Sequence, residues 1–339
     1  MQKITLIPGD GIGPAIVDAA VRVIEAAGVK VEWDKQLAGM AAVDACNNPL
    51  PDATLASIRA NRLCLKGPLT TPVGGGYRSV NVTLRQEFKL YANVRPAISF
   101  EGTDTAFSNV NLVTVRENTE GLYAGIEHFI TEDGYKIAAE SVAVVTRKGC
   151  ERIVEYAFDY AKRTGRKKVT LVHKANILKC TSGLFLEIGR EIAPRYPDIE
   201  FNDVIVDACA MKLVMNPGAF DVMVTTNLFG DIISDLASGL IGGLGLTAGA
   251  NIGADAAIFE AVHGSAPDIA HMGIANPIAM IMAGVMMLEH MGELDAARKI
   301  EQAVRDVVRE GTHVTPDLKP GSAVGTQAMA DELVRRVSA

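Results

Sequence analysis

Asp231 and Asp235 stand four residues apart after the strand-like run Asp221 to Thr226, so both carboxylates fall on one helical face. Like charges so placed repel. Helix-dipole compensation accounts for Asp231 but hardly for a second carboxylate one turn deeper, whereas a divalent cation removes the repulsion. Hard oxygen donors with no neighbouring His or Cys pair point such a cation to Mg²⁺ or Mn²⁺. In the stretch Tyr77 to Arg85, Ser79 stands at an N-cap position, and Asn81 and Arg85 share one helix face. Arg95 and Arg116 each close an apolar, strand-like run. Guanidinium groups bind carboxylates through paired hydrogen bonds, so three converging arginines suit a polycarboxylate; singly, each serves equally as a salt-bridged residue. Lys174 and Tyr123 could do acid–base work or be ordinary surface or core residues. The run Glu260, Ala261, Val262, His263, Gly264, Ser265, Ala266, Pro267, Asp268, Ile269, with Asn276 beyond it, has small residues that let backbone N–H groups approach a phosphate.

These residues need strands and helices to hold them. Ile4 to Ile7 reads as a first strand and is too short for a signal-peptide core. Pro14 opens a helix whose apolar residues Ile16, Val17, Ala20, Val21 and Ile24 recur at helical spacing until Gly28. The intervening Gly9, Gly11 and Gly13 invite a Rossmann reading, but the third glycine of that fingerprint would have to stand where Pro14 does. A tight strand-to-helix turn is the better reading. Further strands are expected at Val29 to Trp33, Leu63 to Leu65, Val110 to Arg116, Val142 to Thr146, Val169 to Val172 and Val222 to Thr225. Helices are expected at Pro51 to Arg59, near Lys148 to Arg163, near Ser182 to Ala193 and at Pro277 to Leu288, and a loop from Gly67 to Gly76. Glu132, Asp133 and Gly134 have hairpin-turn chemistry and suggest a protruding arm. The alternation is that of an α/β protein.

Composition limits the partners. The 339 residues exceed what a single core usually supports, so two domains, or one domain with a large insertion, are expected. With 33 Lys and Arg against 40 Asp and Glu, the net charge of −7 gives no basic field for nucleic acid or acidic lipid. The uncharged runs Leu236 to Ala254, with six glycines, and Ala270 to Leu288, with Pro277, lack the flanks of a membrane span and read as core or subunit contact. Five cysteines, widely spaced and never in a C-x-x-C pair, suit a reducing compartment: cytoplasm, or another such as the mitochondrial matrix.

Taken together and in order, these motifs resemble the decarboxylating dehydrogenases that include isocitrate and 3-isopropylmalate dehydrogenases, along essentially the whole chain. The resemblance implies a fold that is not Rossmann: a large α/β domain from both chain ends, 1–98 and 249–339, and a smaller central domain, 99–248, with a dimerisation arm. Ser79 and Asn81 match the isocitrate pattern, since a hydroxyl and an amide can bond the extra carboxylate that an isopropylmalate enzyme would replace with an apolar surface. By resemblance, Arg85, Arg95 and Arg116 grip substrate carboxylates, and Asp207, Asp231 and Asp235 hold Mg²⁺ or Mn²⁺. Tyr123, Lys174 and Asp207 are then catalytic, with Lys174 and Asp207 donated by the other subunit of a homodimer. Dinucleotide binding falls to Thr71, Glu260, His263, Gly264, Ser265, Ala266, Asp268, Ile269 and Asn276. NADP-dependent relatives place Lys-Tyr where Asp268 and Ile269 stand, so NAD is expected; a bare turn cap after Pro267 is the other reading of Asp268.

The activity so implied is metal-dependent oxidative decarboxylation of isocitrate to 2-oxoglutarate and CO₂ with reduction of NAD. Rival readings are a related enzyme for homoisocitrate, isopropylmalate or tartrate, and a noncatalytic regulatory subunit. The latter would have lost acid, base or metal positions that this chain keeps.

Overall fold

The computed structural model describes residues 1–71, 77 and 79–339; Pro72 to Gly76, the second half of the expected glycine-rich loop, and Arg78 lie outside them. The chain begins with β1 (Gln2–Ile7), α1 (Gly13–Ala26), β2 (Val31–Lys35), α2 (Met40–Cys46), α3 (Asp52–Asn61), β3 (Leu63–Lys66) and α4 (Val80–Glu87). The middle runs β4 (Ala92–Ile98), β5 (Asn111–Glu117), β6 (Gly121–Glu132), β7 (Tyr135–Val144), α5 (Arg147–Thr164), β8 (Lys168–His173) and α6 (Thr181–Ile192). It continues through β9 (Glu200–Ile205), α7 (Val206–Met215), β10 (Val222–Thr225) and α8 (Asn227–Leu240). Last come β11 (Ala248–Ile252), β12 (Ala257–Ala261), α9 (Ile278–Met291), α10 (Leu294–Glu310) and α11 (Thr326–Ser338).

Two compact units divide these elements: residues 1–88, 98–110 and 238–339 form one, 89–97 and 111–237 the other. The cuts drawn from sequence differ in three segments, one of them 238–248, which lies in the terminal unit and not the central one. Residues 98–110 belong with the termini, where Arg305 lies over the Phe100 ring and Gly102 lies close against the Val308 carbonyl. Residues 89–97 belong with the central unit, where β4 lies beside β5.

In the terminal unit β1 pairs in parallel with β2 and β3, β3 with β12, and β11 closes antiparallel on β12. Helix α1 starts as its sequence asks, with Pro14 in its first turn, and buries Ile16, Val17, Ala20 and Ile24. Its buried face packs against α9 and α11. Helix α9 is apolar nearly all round and correspondingly buried, Ile278, Met280, Ile281, Val285 and Leu288 among its core residues. No helix among the described residues is long and apolar enough to cross a membrane. The other uncharged run becomes the end of α8, a glycine-rich turn and the buried strand β11.

The central unit orders β5, β10, β8 and β9 as parallel neighbours. Helix α5 is capped by the Thr146 hydroxyl, which accepts from the Gly149 N–H at 3.0 Å, and stops at Gly165 in a left-handed conformation. Among the described residues, strands β6 and β7 pair only with each other, in a two-stranded hairpin turned by Asp133 (φ 50°) and Gly134 (φ 80°). Both central residues of that turn have positive φ, as a two-residue hairpin of this hand requires.

Candidate active site

In the central unit the sequence elements deliver their charges to one cluster. Arg95 comes from β4, Arg116 from the end of β5, and Asp231, Ser234 and Asp235 from successive turns of α8. Arg116 is fully buried and is held on one side by Asn227, whose side-chain oxygen accepts from Nε at 3.0 Å and Nη2 at 2.7 Å. Its remaining nitrogen, Nη1, bonds Asp231. Gly230 lies one turn into α8 beneath this side chain; a Cβ there would lie 2.5 Å from Arg116 Cγ, so only glycine admits the arginine. Arg95 donates to Ser234 Oγ at 2.7 Å and to Asp235 Oδ1 at 3.0 Å, with Asp231 at 3.6 Å. The Tyr123 hydroxyl donates to the other oxygen of Asp231, and the Arg116 guanidinium lies over its ring at 5.1 Å.

Burial, reinforced by the bond to Asp231 and that residue's charge, holds the Tyr123 phenol above its ordinary value despite Arg116. Tyr123 therefore stays a proton donor. Burial also raises Asp235, with Asp231 adding to the effect and Arg95 opposing it. The repulsion expected from carboxylates one turn apart is thus present and partly balanced by arginines.

Lys174 follows β8 and forms an ion pair with Asp207, in the first turn of α7; that pairing pulls the Asp207 carboxyl below its ordinary value. Asp207 does not join the other two aspartates, because among the described residues no three His, Cys, Asp or Glu side chains come together as a metal site. Within one copy of the chain Asp231 and Asp235 stand together beside Arg95, and the third expected carboxylate, Asp207, is paired with Lys174 instead.

In the terminal unit, Ser79 caps α4, its Oγ accepting from the Val82 N–H at 3.5 Å and from Thr71 Oγ1 at 3.4 Å. Arg85, on the same helix, reaches Glu260 at 3.7 Å. Sequence reasoning missed the partner that matters most here: Lys66, buried at the end of β3, contacts Glu260 at 2.7 Å, and Asn251 donates to the same carboxylate at 2.7 Å. Burial alone would push Glu260 up, but Lys66 and Arg85 outweigh it and hold the carboxyl at about 2. Its only sequence signal was a lysine between an apolar strand and Gly67–Pro68.

The loop after β12 is anchored on both sides. The Ile12 N–H donates to the Ser265 carbonyl at 2.9 Å, and Gly11 (φ 57°) lies so close that a Cβ would sit 2.0 Å from that oxygen. Ser265 Oγ shares a 2.7 Å bond with Thr70, next to Thr71. The glycine-rich first turn thus braces this loop. Ala266 has φ 39°, and Gly264 is exposed. His263 Nδ1 must carry the hydrogen, since it meets the Gly264 carbonyl at 2.9 Å; Nε2 is then a buried acceptor with no partner among the described residues. Burial keeps this imidazole below its ordinary value, hence neutral. Asp268 is exposed and its carboxylate bonds no described residue, so it does not cap the turn that Ile269 N–H closes on Ala266. Asn276 is buried and engaged within the unit, donating to Asp317 at 2.9 Å and accepting from the Ile278 N–H at 2.9 Å.

Comparison with known proteins fits this geometry. Residues 3–333 match the model of the family described as isocitrate/isopropylmalate dehydrogenase. A crystal structure of isocitrate dehydrogenase from Methylococcus capsulatus is 78% identical, with a TM-score of 0.98 and full coverage of both chains. The mitochondrial isocitrate dehydrogenase [NAD] catalytic subunit 6 of Arabidopsis thaliana is 49% identical over 98% of this chain and 88% of its own length. The chloroplastic 3-isopropylmalate dehydrogenase of Solanum tuberosum is 47% identical over 94% of this chain and 88% of its own. Overall identity barely separates those last two relatives, but family membership does not depend on the choice: the chain belongs to the isocitrate/isopropylmalate dehydrogenase family.

Proposed function

We propose that this chain is an NAD-dependent isocitrate dehydrogenase that converts isocitrate to 2-oxoglutarate and CO₂, with Mg²⁺ or Mn²⁺. The observation that carries the choice of substrate is on α4. The side-chain amide of Asn81, two residues after the Ser79 cap, has a buried polar atom with no partner among the described residues. Its oxygen and nitrogen exchange places by a flip, so a polar ligand group completes it and an isopropyl group would leave it unmet. Isocitrate differs from isopropylmalate by such a group.

The donor set suits a hard divalent cation: two carboxylates one turn apart, with Asp207 from a second copy completing the protein's share. Bound there, the cation would make the substrate hydroxyl more acidic and stabilise developing enolate charge. Arg85, Arg95 and Arg116 bind substrate carboxylates; the planar Arg116, fixed by Asn227, sets their orientation. Lys174, steadied by Asp207, accepts or relays the hydroxyl proton as hydride leaves for the nicotinamide. Tyr123, kept protonated by its surroundings, supplies the proton that the carbon takes up after CO₂ departs.

On the cofactor side, the free Nε2 of His263 suits an exocyclic amine of adenine, and exposed Asp268 suits the ribose hydroxyls while repelling a 2′-phosphate. A homodimer is supported by the apolar residues left exposed on the hairpin, Phe129, Tyr135 and Ile137, and on α7, Met211, Val214 and Met215. An isolated two-stranded hairpin also needs packing from another surface. Five free cysteines, three of them buried, agree with a reducing compartment, cytoplasmic or mitochondrial.

The test compares kcat/KM for isocitrate, homoisocitrate, 3-isopropylmalate and tartrate. Isocitrate should lead, and a preference for 3-isopropylmalate overturns the substrate. With isocitrate, NAD should be favoured over NADP in the wild type and disfavoured in Asp268→Lys/Ile269→Tyr. A wild type that favours NADP, or an unchanged ratio in the folded double variant, removes Asp268 from that role.

A further inference from the structure

His173, the last residue of β8, is buried beside Lys174 and has no place in the chemistry above. Its two ring nitrogens do different work. Nδ1 lies 3.0 Å from the backbone N–H of Ala175 and must accept, so it carries no hydrogen. Nε2 then carries the hydrogen and donates it to Asp203 Oδ2 at 3.1 Å. Asp203 sits on β9, opposite Leu171, so its side chain shares a face with His173. Its other oxygen accepts from Arg190 of α6 at 3.0 Å. Although burial works against the charge, Arg190 and His173 hold the Asp203 carboxyl below its ordinary value, so the acceptor at Nε2 is a carboxylate.

The consequence falls on the turn that carries Lys174. That turn leaves the strand with its backbone tied at three points: Ala175 N–H to the imidazole, Lys174 N–H to Ser182 Oγ at 3.2 Å, and the Lys174 carbonyl to the N–H groups of Ile177 and Leu178 at 3.0 and 2.8 Å. Only the first links the turn back to the sheet through a side chain with a fixed tautomer. A carboxylate–histidine pair that orients a neighbouring functional group is a recurring physical device, because the acceptor at one nitrogen dictates what the other can do.

We infer that His173, locked as the Nε2–H tautomer by Asp203 and Arg190, is a positioning residue that fixes the Lys174 turn and so the direction in which the lysine side chain leaves the sheet. The inference rests on Lys174 acting in turnover, as proposed above. Misplacing a proton-transfer group by about 1 Å costs up to roughly 100-fold in rate, while substrate affinity, set by the arginines, stays in place.

Three variants test this: His173→Leu, His173→Asn and, as a control on the underlying reading, Lys174→Met. Asparagine keeps an oxygen able to accept from the N–H two residues on, as in an Asx turn, and leucine does not. His173→Leu should lower kcat roughly 10- to 100-fold with the isocitrate KM within about twofold of wild type. His173→Asn should recover most of the loss. Amide hydrogen exchange should show the Ala175 N–H unprotected in the leucine variant and protected in the asparagine variant. Unchanged kcat in folded His173→Leu overturns the inference; so does an asparagine variant that keeps its protection yet is as slow as leucine. Should the leucine variant not fold, His173→Asn alone decides: near-wild-type kcat with a protected Ala175 amide supports the inference, and near-wild-type kcat with that amide exposed overturns it. If Lys174→Met turns over normally, the catalytic reading of Lys174 has failed, whereas the exchange result still reports on the turn.

Discussion

Glu260 shows how a single residue takes its properties from groups far away in the chain. The sequence placed it in a run of small residues suited to a dinucleotide, and nothing nearby announced Lys66, Arg85 or Asn251, which are brought to it by strand pairing and by α4. A carboxyl held at about 2 from an ordinary 4.5 has a sign for stability. Between those values the unfolded chain binds a proton that the folded chain refuses, so the contribution is complete above about pH 4.5 and is lost as pH falls toward 2. Its size is on the order of 3 kcal/mol. The stability difference between wild type and Glu260→Gln, measured by urea unfolding, should therefore shrink from about pH 6 to about pH 3. A residual difference independent of pH should remain, because Lys66 is left buried without its partner. A difference that is flat or grows on acidification contradicts the pairing.

At the scale of elements, α8 carries the most demanding local requirement. Its Asn227, Gly230, Asp231, Ser234 and Asp235 each touch or admit an arginine, and Gly230 does so by having no side chain. Gly230→Ala should push Arg116 off Asn227 and Asp231, lowering kcat/KM for isocitrate roughly 10- to 100-fold while the protein still folds. Wild-type kcat/KM in the folded variant would show that Arg116 has room to spare. How much of this was legible followed the physics of each element. Helices with a regular apolar stripe and a marked start or stop stood out, α1 with Pro14 in its first turn and α5 between Thr146 and Gly165, as did the Asp133–Gly134 turn. Helix α7 did not, because β9 ends at Ile205 and the helix begins at Val206 with no capping side chain or glycine to mark the change. The spacing of Asp231 and Asp235 revealed a charge problem, but Arg95 and Arg116 as its partial solution required the sheet that sets them beside α8.

For the whole molecule, the telling feature is a division of labour. Asp231 and Asp235 sit among arginines, while Asp207 is tied to Lys174 and stands mostly exposed. Met211, Val214 and Met215 lie exposed on the same helix as Asp207, where a second copy would cover them. Under the proposed function, a homodimer would hold two active sites, each taking Lys174 and Asp207 from the other chain. The most direct measurement mixes two variants that are inactive alone, Tyr123→Phe/Arg85→Ala and Lys174→Met, under conditions of verified subunit exchange. In a mixed dimer one site collects every lesion and the other none. With half the dimers mixed, isocitrate-dependent NAD reduction in the presence of Mn²⁺ should return to about a quarter of the wild-type rate. No recovery, with exchange demonstrated and wild-type dimers active, would contradict the shared site.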